Sequence, residues 1–138
     1  MLPGDALLAP MAGFANLPFR RLCREYGCVL VTTEMISADG LVHGGSESRG
    51  LLADHPADRP RAVQLFGSKP ALLAEAARRV EADGLADAID INMGCPVRKV
   101  VSTGAGSALL REPERAEAIV RAVREAIDLP LTAKLRAG

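Results

Sequence analysis

Apolar residues along this chain alternate between short β-branched runs and longer segments with helical spacing. Leu7–Ala12 (LLAPMA) predicts a first strand that ends at Gly13. Asn16 and Pro18 then open a helix, as a cap and an early proline do. Phe19, Leu22, Cys23 and Tyr26 fall at i, i+3, i+4 and i+7 on one face, and Gly27 stops the helix. Cys28–Met35 (CVLVTTEM) predicts a second strand. Ser37–Leu52 is interrupted by Gly40, Gly44, Gly45 and Gly50, which predicts a loop with one or two weak helical turns. After the polar connection Asp54–Pro60, Ala62–Phe66 (AVQLF) predicts a third strand, closed by Gly67. Ser68 and Pro70 start a helix on which Leu72, Leu73, Ala76, Ala77 and Val80 keep helical spacing up to Gly84. Ala88–Asn92 predicts the fourth strand. Pro113–Ile127 is the strongest helical pattern, with Ala116, Ile119, Val120, Val123 and Ile127 on one stripe, and Leu131–Leu135 (LTAKL) predicts a fifth strand.

This is strand–helix alternation without a fixed-period repeat, so parallel strands joined by right-handed crossovers are expected. Two architectures compete, an open doubly wound sheet and a (β/α)8 barrel. The first strand–helix turn, MAGFANLPF, lacks the GxGxxG of a dinucleotide-binding sheet, and no P-loop is present. The barrel accounts for more. It collects Met11 and Ala12, Glu34, Gln64, Asn92, Cys95 and Lys134 at the C-terminal ends of its strands, where barrels carry their sites. Taken singly, each has a plain structural use: Gln64 satisfying backbone, Glu34 capping a helix, Lys134 reaching along its stem to the rim. A complete barrel needs about 250 residues. The 138 residues are therefore expected to be its N-terminal portion, about five βα units cut after strand five, with open edges on strands one and five.

Composition narrows the chemistry. Hydrophobic residues are 49% but aromatics only 3%, so the core must be built from Ala, Leu, Val and Ile. Lys plus Arg and Asp plus Glu are 17 each, so charge balance alone makes no case for nucleic-acid binding. The three cysteines, Cys23, Cys28 and Cys95, have no metal-type spacing, so no metal is expected, and Cys23 and Cys28 read as packed thiols in a reducing compartment. No basic region precedes an apolar run at the N-terminus, and no apolar stretch approaches the roughly 20 residues that span a bilayer. A soluble cytoplasmic protein without a membrane partner is the expectation.

The stretch Ile89-Asp90-Ile91-Asn92-Met93-Gly94-Cys95-Pro96 joins a buried strand to a sharp turn that holds a thiol. It can be a small buried cysteine beside a turn, or a thiol presented to a ligand. Its surroundings carry a resemblance. Ala9-Pro10-Met11-Ala12-Gly13, Leu17-Pro18-Phe19-Arg20-Arg21-Leu22, Thr33-Glu34-Met35, Gln64-Leu65-Phe66-Gly67, DINMGCP at 90–96, GAGSALL at 104–110 and Lys134-Leu135-Arg136 run in order over nearly the whole chain. In these segments the chain resembles the N-terminal part of the bacterial tRNA-dihydrouridine synthases.

The resemblance implies a barrel holding FMN at its C-terminal mouth. A small helical domain that grips tRNA would follow, and it and the later barrel strands are not in this sequence. It implies reduction of the C5–C6 double bond of uridine in tRNA, with NADPH recharging the flavin. By position, Pro10, Met11 and Ala12 would present backbone to the flavin ring, Gln64 would bond its polar edge, and Lys134 would sit where negative charge gathers. Cys95 would be the proton donor, and Asn92 would touch the uracil. An ordinary thiol, with a pKa of about 8.5, is mostly protonated at neutral pH and suits that role. Two alternatives remain: a dihydroorotate-dehydrogenase-like FMN barrel acting on a free pyrimidine, and a non-catalytic half-barrel. DINMGCP with GAGSALL favours the tRNA enzymes. The 138 residues alone are not expected to catalyse the reaction.

Overall fold

The structure is a computed structural model, and it describes residues 6–137. Among these residues six strands form one parallel sheet: β1 (Leu7–Leu8), β2 (Leu30–Thr32), β3 (Ile36–Ser37), β4 (Arg61–Phe66), β5 (Ala88–Asn92) and β6 (Leu131–Lys134). The path runs β1-β2-β4-β5-β6, with β3 also paired to β4. Helices α1 (Leu17–Glu25), α2 (Ala38–Val42), α3 (Ser46–Gly50), α4 (Pro70–Ala82), α5 (Arg98–Val101) and α6 (Pro113–Ala126) fill the connections, with 3-10 turns at Pro56–Asp58 and Gly106–Arg111. This sequential parallel order is a half-barrel, the N-terminal part of a TIM-type α/β barrel. The open doubly wound alternative needs strands on both sides of the first one, and β1 has only β2 beside it among the described residues.

The period-2 alternation of the strands separates two faces. Val63 and Leu65 on β4 and Ile89 and Ile91 on β5 point to the helices. There they pack with Leu73, Ala76, Ala77 and Val80 of α4 and Ile119 and Val123 of α6, all at most 1% exposed. Alanines on α4 let it approach both the sheet and α6 closely. Each fully buried Ile or Leu contributes about 1.5–3 kcal/mol. Glu81, near the end of α4, accepts the N–H groups of Asp128 and Leu129 at 2.8 Å each, which orders the turn into β6.

The expected second strand is two pieces. Thr32 pairs with Ala62, whereas Ile36 pairs with Leu65. Four steps on one side thus match three on the other, so one extra residue is held as a bulge at 33–35. Thr33 bridges the gap: its N–H donates to the Ala62 carbonyl at 3.0 Å, and its hydroxyl accepts the Gln64 N–H at 3.1 Å. The extra residue swings Ile36 onto the helix face, where it is fully buried.

Other expectations are corrected. The first strand is two residues long, because Met11 closes a turn through its carbonyl to the N–H groups of Phe14 and Ala15. The segment at 37–52, by contrast, does hold two weak helical turns as expected, the five-residue helices α2 and α3, with α2 capped by the Ser37 hydroxyl at 3.1 Å. The supposed apolar stripe of α1 does not face the core: Tyr26 is 85% and Leu22 46% exposed, while Arg20 is 1% exposed. Arg20 donates to Asp58 at 2.8 Å and to the carbonyls of Ala15 and Ala53 at 2.8 and 2.7 Å. Arg61, fully buried at the start of β4, reaches the same Ala53 carbonyl at 2.6 Å and lies 3.8 Å from Asp58. An ionic cluster therefore occupies the N-terminal end of the sheet, with every guanidinium nitrogen hydrogen-bonded or ion-paired as buried charge requires.

Candidate active site

Opposite the helices, the sheet carries polar side chains. The register places Gln64 beside Asp90, Asp90 beside Thr132, and Asn92 beside Lys134. Asp90 accepts from the Gln64 Nε2 at 2.5 Å and from the Thr132 hydroxyl at 2.7 Å. The Gln64 Oε1 in turn accepts from the Asn92 Nδ2 at 2.9 Å, and the Asn92 Oδ1 accepts the N–H groups of Cys95 at 3.0 Å and Gly94 at 3.3 Å. The polarity of this chain follows from Asp90. A carboxylate only accepts, so Gln64 turns its NH2 to it and its carbonyl to Asn92. Asn92 is then left with its carbonyl for the Cys95 loop.

Three further contacts fix that loop. Ser107 donates its N–H to the Cys95 carbonyl at 3.0 Å. Arg136 Nε donates to the Gly94 carbonyl at 2.7 Å. Gly106, at φ +62°, lies so near that a Cβ there would sit 2.6 Å from the Cys95 carbonyl oxygen. Only glycine meets both demands. This contact is why DINMGCP and GAGSALL belong together although Gly106 lies eleven positions after Cys95.

A cavity of about 390 Å³ opens at the C-terminal strand ends, lined by Pro10, Ala12, Met35, Gln64, Asn92, Gly94, Cys95, Pro96, Val97, Lys134 and Arg136. Of the seven residues to which the resemblance gives a site role, six share one cavity. Met11 is the exception, with its carbonyl spent on the turn. Met35 and Arg136 line the cavity without having been singled out as site residues, and Asp90 and Thr132 support it from beneath. The strand register was the signal for the last two: both stand in line with Gln64. Glu34 ties the rim together by accepting the Gly13 N–H at 2.5 Å, which anchors the Pro10–Gly13 turn to the bulge. Among the described residues no group of three or more His, Cys, Asp or Glu could hold a metal ion, and no helix is long and apolar enough to cross a membrane.

A parallel half-barrel with its polar cavity at the strand C-termini defines a (β/α)-barrel protein. The family model described as Dihydrouridine synthase (Dus) matches residues 7–138. The chain is 47% identical over 137 residues to tRNA-dihydrouridine synthase B of Pseudomonas aeruginosa, covering 99% of this chain and 41% of that protein. It is 45% identical over 132 residues to a probable tRNA-dihydrouridine synthase of Rhizobium leguminosarum, covering 96% of this chain and 41% of the relative. With a probable tRNA-dihydrouridine synthase 1 of Synechocystis it shares 44% over 138 residues, 99% of this chain and 38% of the relative. The chain belongs to the dihydrouridine synthase family, and it spans about 40% of the length of these relatives.

Proposed function

We propose that this chain carries the flavin- and uracil-facing part of a tRNA-dihydrouridine synthase that reduces the C5–C6 double bond of uridine in tRNA with NADPH. One observation carries the reading: Cys95 shares a cavity with Gln64 and Lys134, and its loop is held by Asn92, Ser107 and Arg136. The one-sided pairing of β1 and β6 among the described residues supports further barrel strands in the complete enzyme, and the relatives' greater length leaves room for them and for a helical domain that would grip tRNA. The complete enzyme acts in the cytoplasm, and the 138 residues by themselves are inactive.

The residues present fit FMN. Pro10 and Ala12 offer a low wall that a flat ring can approach, and Gln64 keeps one N–H not committed to Asp90. The exposed Lys134 ammonium supplies a cation for the ring's electron-rich edge. When bound, FMN supplies hydride to C6 of the uracil. Cys95 donates the proton that C5 then requires. Asn92 orients the uracil near that thiol, and Lys134 offsets negative charge at the ring. The uridine must leave the RNA stack to reach the cavity.

In the complete enzyme, Cys95→Ala is expected to bind FMN normally and to reduce uridine in unmodified tRNA at least about 100-fold more slowly, the scale of a lost general acid. Turnover within a few-fold of the parent would remove Cys95 from the mechanism.

A further inference from the structure

The other two cysteines meet at the C-terminus of α1. Gly27, at φ +94°, donates its N–H to the Arg24 carbonyl at 3.0 Å, and Cys28 donates its N–H to the Cys23 carbonyl at 3.0 Å. This pair of bonds is the Schellman motif, in which the third-last helical residue and the second residue past the cap bring their side chains together. Those two places are ordinarily filled by apolar side chains. Here they are Cys23 and Cys28, both free thiols and both half-buried rather than sealed in the core. Burial, and the Cys28 thiol in hydrogen-bonding contact beside it, push the Cys23 thiol up. The pair lies before β2, at the opposite end of the parallel sheet from Cys95, which follows β5.

We infer that Cys23 and Cys28 form a dithiol site, distinct from Cys95, that closes to an intramolecular disulfide on reaction with a small disulfide oxidant such as glutathione disulfide. One thiolate attacks a glutathione sulfur, forming a mixed disulfide and releasing one glutathione thiol. The neighbouring thiolate then displaces the second glutathione, so two protein thiols are oxidised to one disulfide while one glutathione disulfide is reduced to two thiols. The motif favours this closure, because its two backbone hydrogen bonds already fix the positions of both Cα atoms and little chain has to be ordered. A disulfide here staples the helix end without touching the cavity residues.

The test equilibrates the full chain with mixtures of reduced and oxidised glutathione, blocks remaining thiols with N-ethylmaleimide and digests with trypsin. Cleavage after Arg21 and Arg24 places the two cysteines on separate peptides, Leu22–Arg24 and Glu25–Arg49. The expected product joins those two peptides, with two of the three thiols lost and Cys95 still alkylated. Cys23→Ser and Cys28→Ser are each expected to give no internal link and only a glutathione adduct on the surviving thiol. Full alkylation of both cysteines in the most oxidising mixture, or a link that includes Cys95, would overturn the assignment.

Discussion

At Gly106 an added methyl group would meet the Cys95 carbonyl oxygen at 2.6 Å and Val100 at 2.9 Å, on a backbone already at φ +62°. Gly106→Ala must therefore displace the thiol-bearing loop. Left-handed backbone on a non-glycine residue costs about 1–3 kcal/mol, and a misplacement near 1 Å is enough to slow a positioned reaction about 100-fold. The complete enzyme with this substitution should keep its FMN and lose uridine reduction by about that factor. Full activity would mean that the loop tolerates the shift. Asp90 acts at one remove. With Asn in its place the amide of Gln64 is free to turn over, because an amide both donates and accepts. Asp90→Asn should weaken FMN binding about tenfold, the scale of a hydrogen bond to a charged group, and perturb the bound flavin's absorption spectrum. An unaltered affinity and spectrum would show that Gln64 is oriented by other means.

Among the elements, α1 depends most on distant partners. Its buried face is an arginine, and Asp58, with no exposed surface, is shared between Arg20 at 2.8 Å and Arg61 at 3.8 Å, while Asp54 supplies a second carboxylate 3.5 Å from Arg61. Asp58→Ala leaves two buried guanidinium groups without their shared anion, and is expected to cost about 3–5 kcal/mol in urea denaturation. A loss under about 1 kcal/mol, the range of surface pairs, would show the cluster to be solvated. This dependence on distant partners also explains which elements the residues announce. Ala88–Asn92 is legible from its β-branched run and α4 from its apolar spacing, since each signal is local. Arg20 reads as a surface residue because Asp58 lies 38 positions away. Val120 sits on the α6 stripe yet is 38% exposed, because the inward face is narrower than the pattern. The cavity was legible through Gln64, Asn92, Cys95 and Lys134, whose residue types stand out at strand ends. Asp90 was not, because its role exists only through pairing with β4 and β6.

Across the described residues, the buried ion cluster and the cavity lie at opposite ends of the sheet. The arginine–aspartate cluster holds the N-terminal end of the sheet, and the cavity occupies the C-terminal end. The Arg59 guanidinium, hydrogen-bonded at 2.9 Å, holds the Asp54 carboxyl below the usual carboxylate range, with partial burial opposing it and Arg61 adding to it. A carboxyl depressed in the folded state stabilises the fold above its unfolded pKa, and that stability is lost as pH falls through the folded value. The contribution is thus whole at neutral pH and fades below about pH 4. The difference in urea midpoint between the parent and Arg59→Gln should shrink between about pH 6 and about pH 3. A constant difference would show that Asp54 does not gain from Arg59.

The bulge at 33–35 sets a rule for comparing this chain with others. Thr32 and Ile36 differ by an even number of positions yet face opposite sides of the sheet, with Ile36 among the core residues. Faces in β3 are therefore counted from Leu65 and Phe66, not from β2. An alignment to a chain with an unbroken second strand has to place its single gap between Thr32 and Ile36. A gap elsewhere would assign Ile36 to the cavity and Met35 to the core.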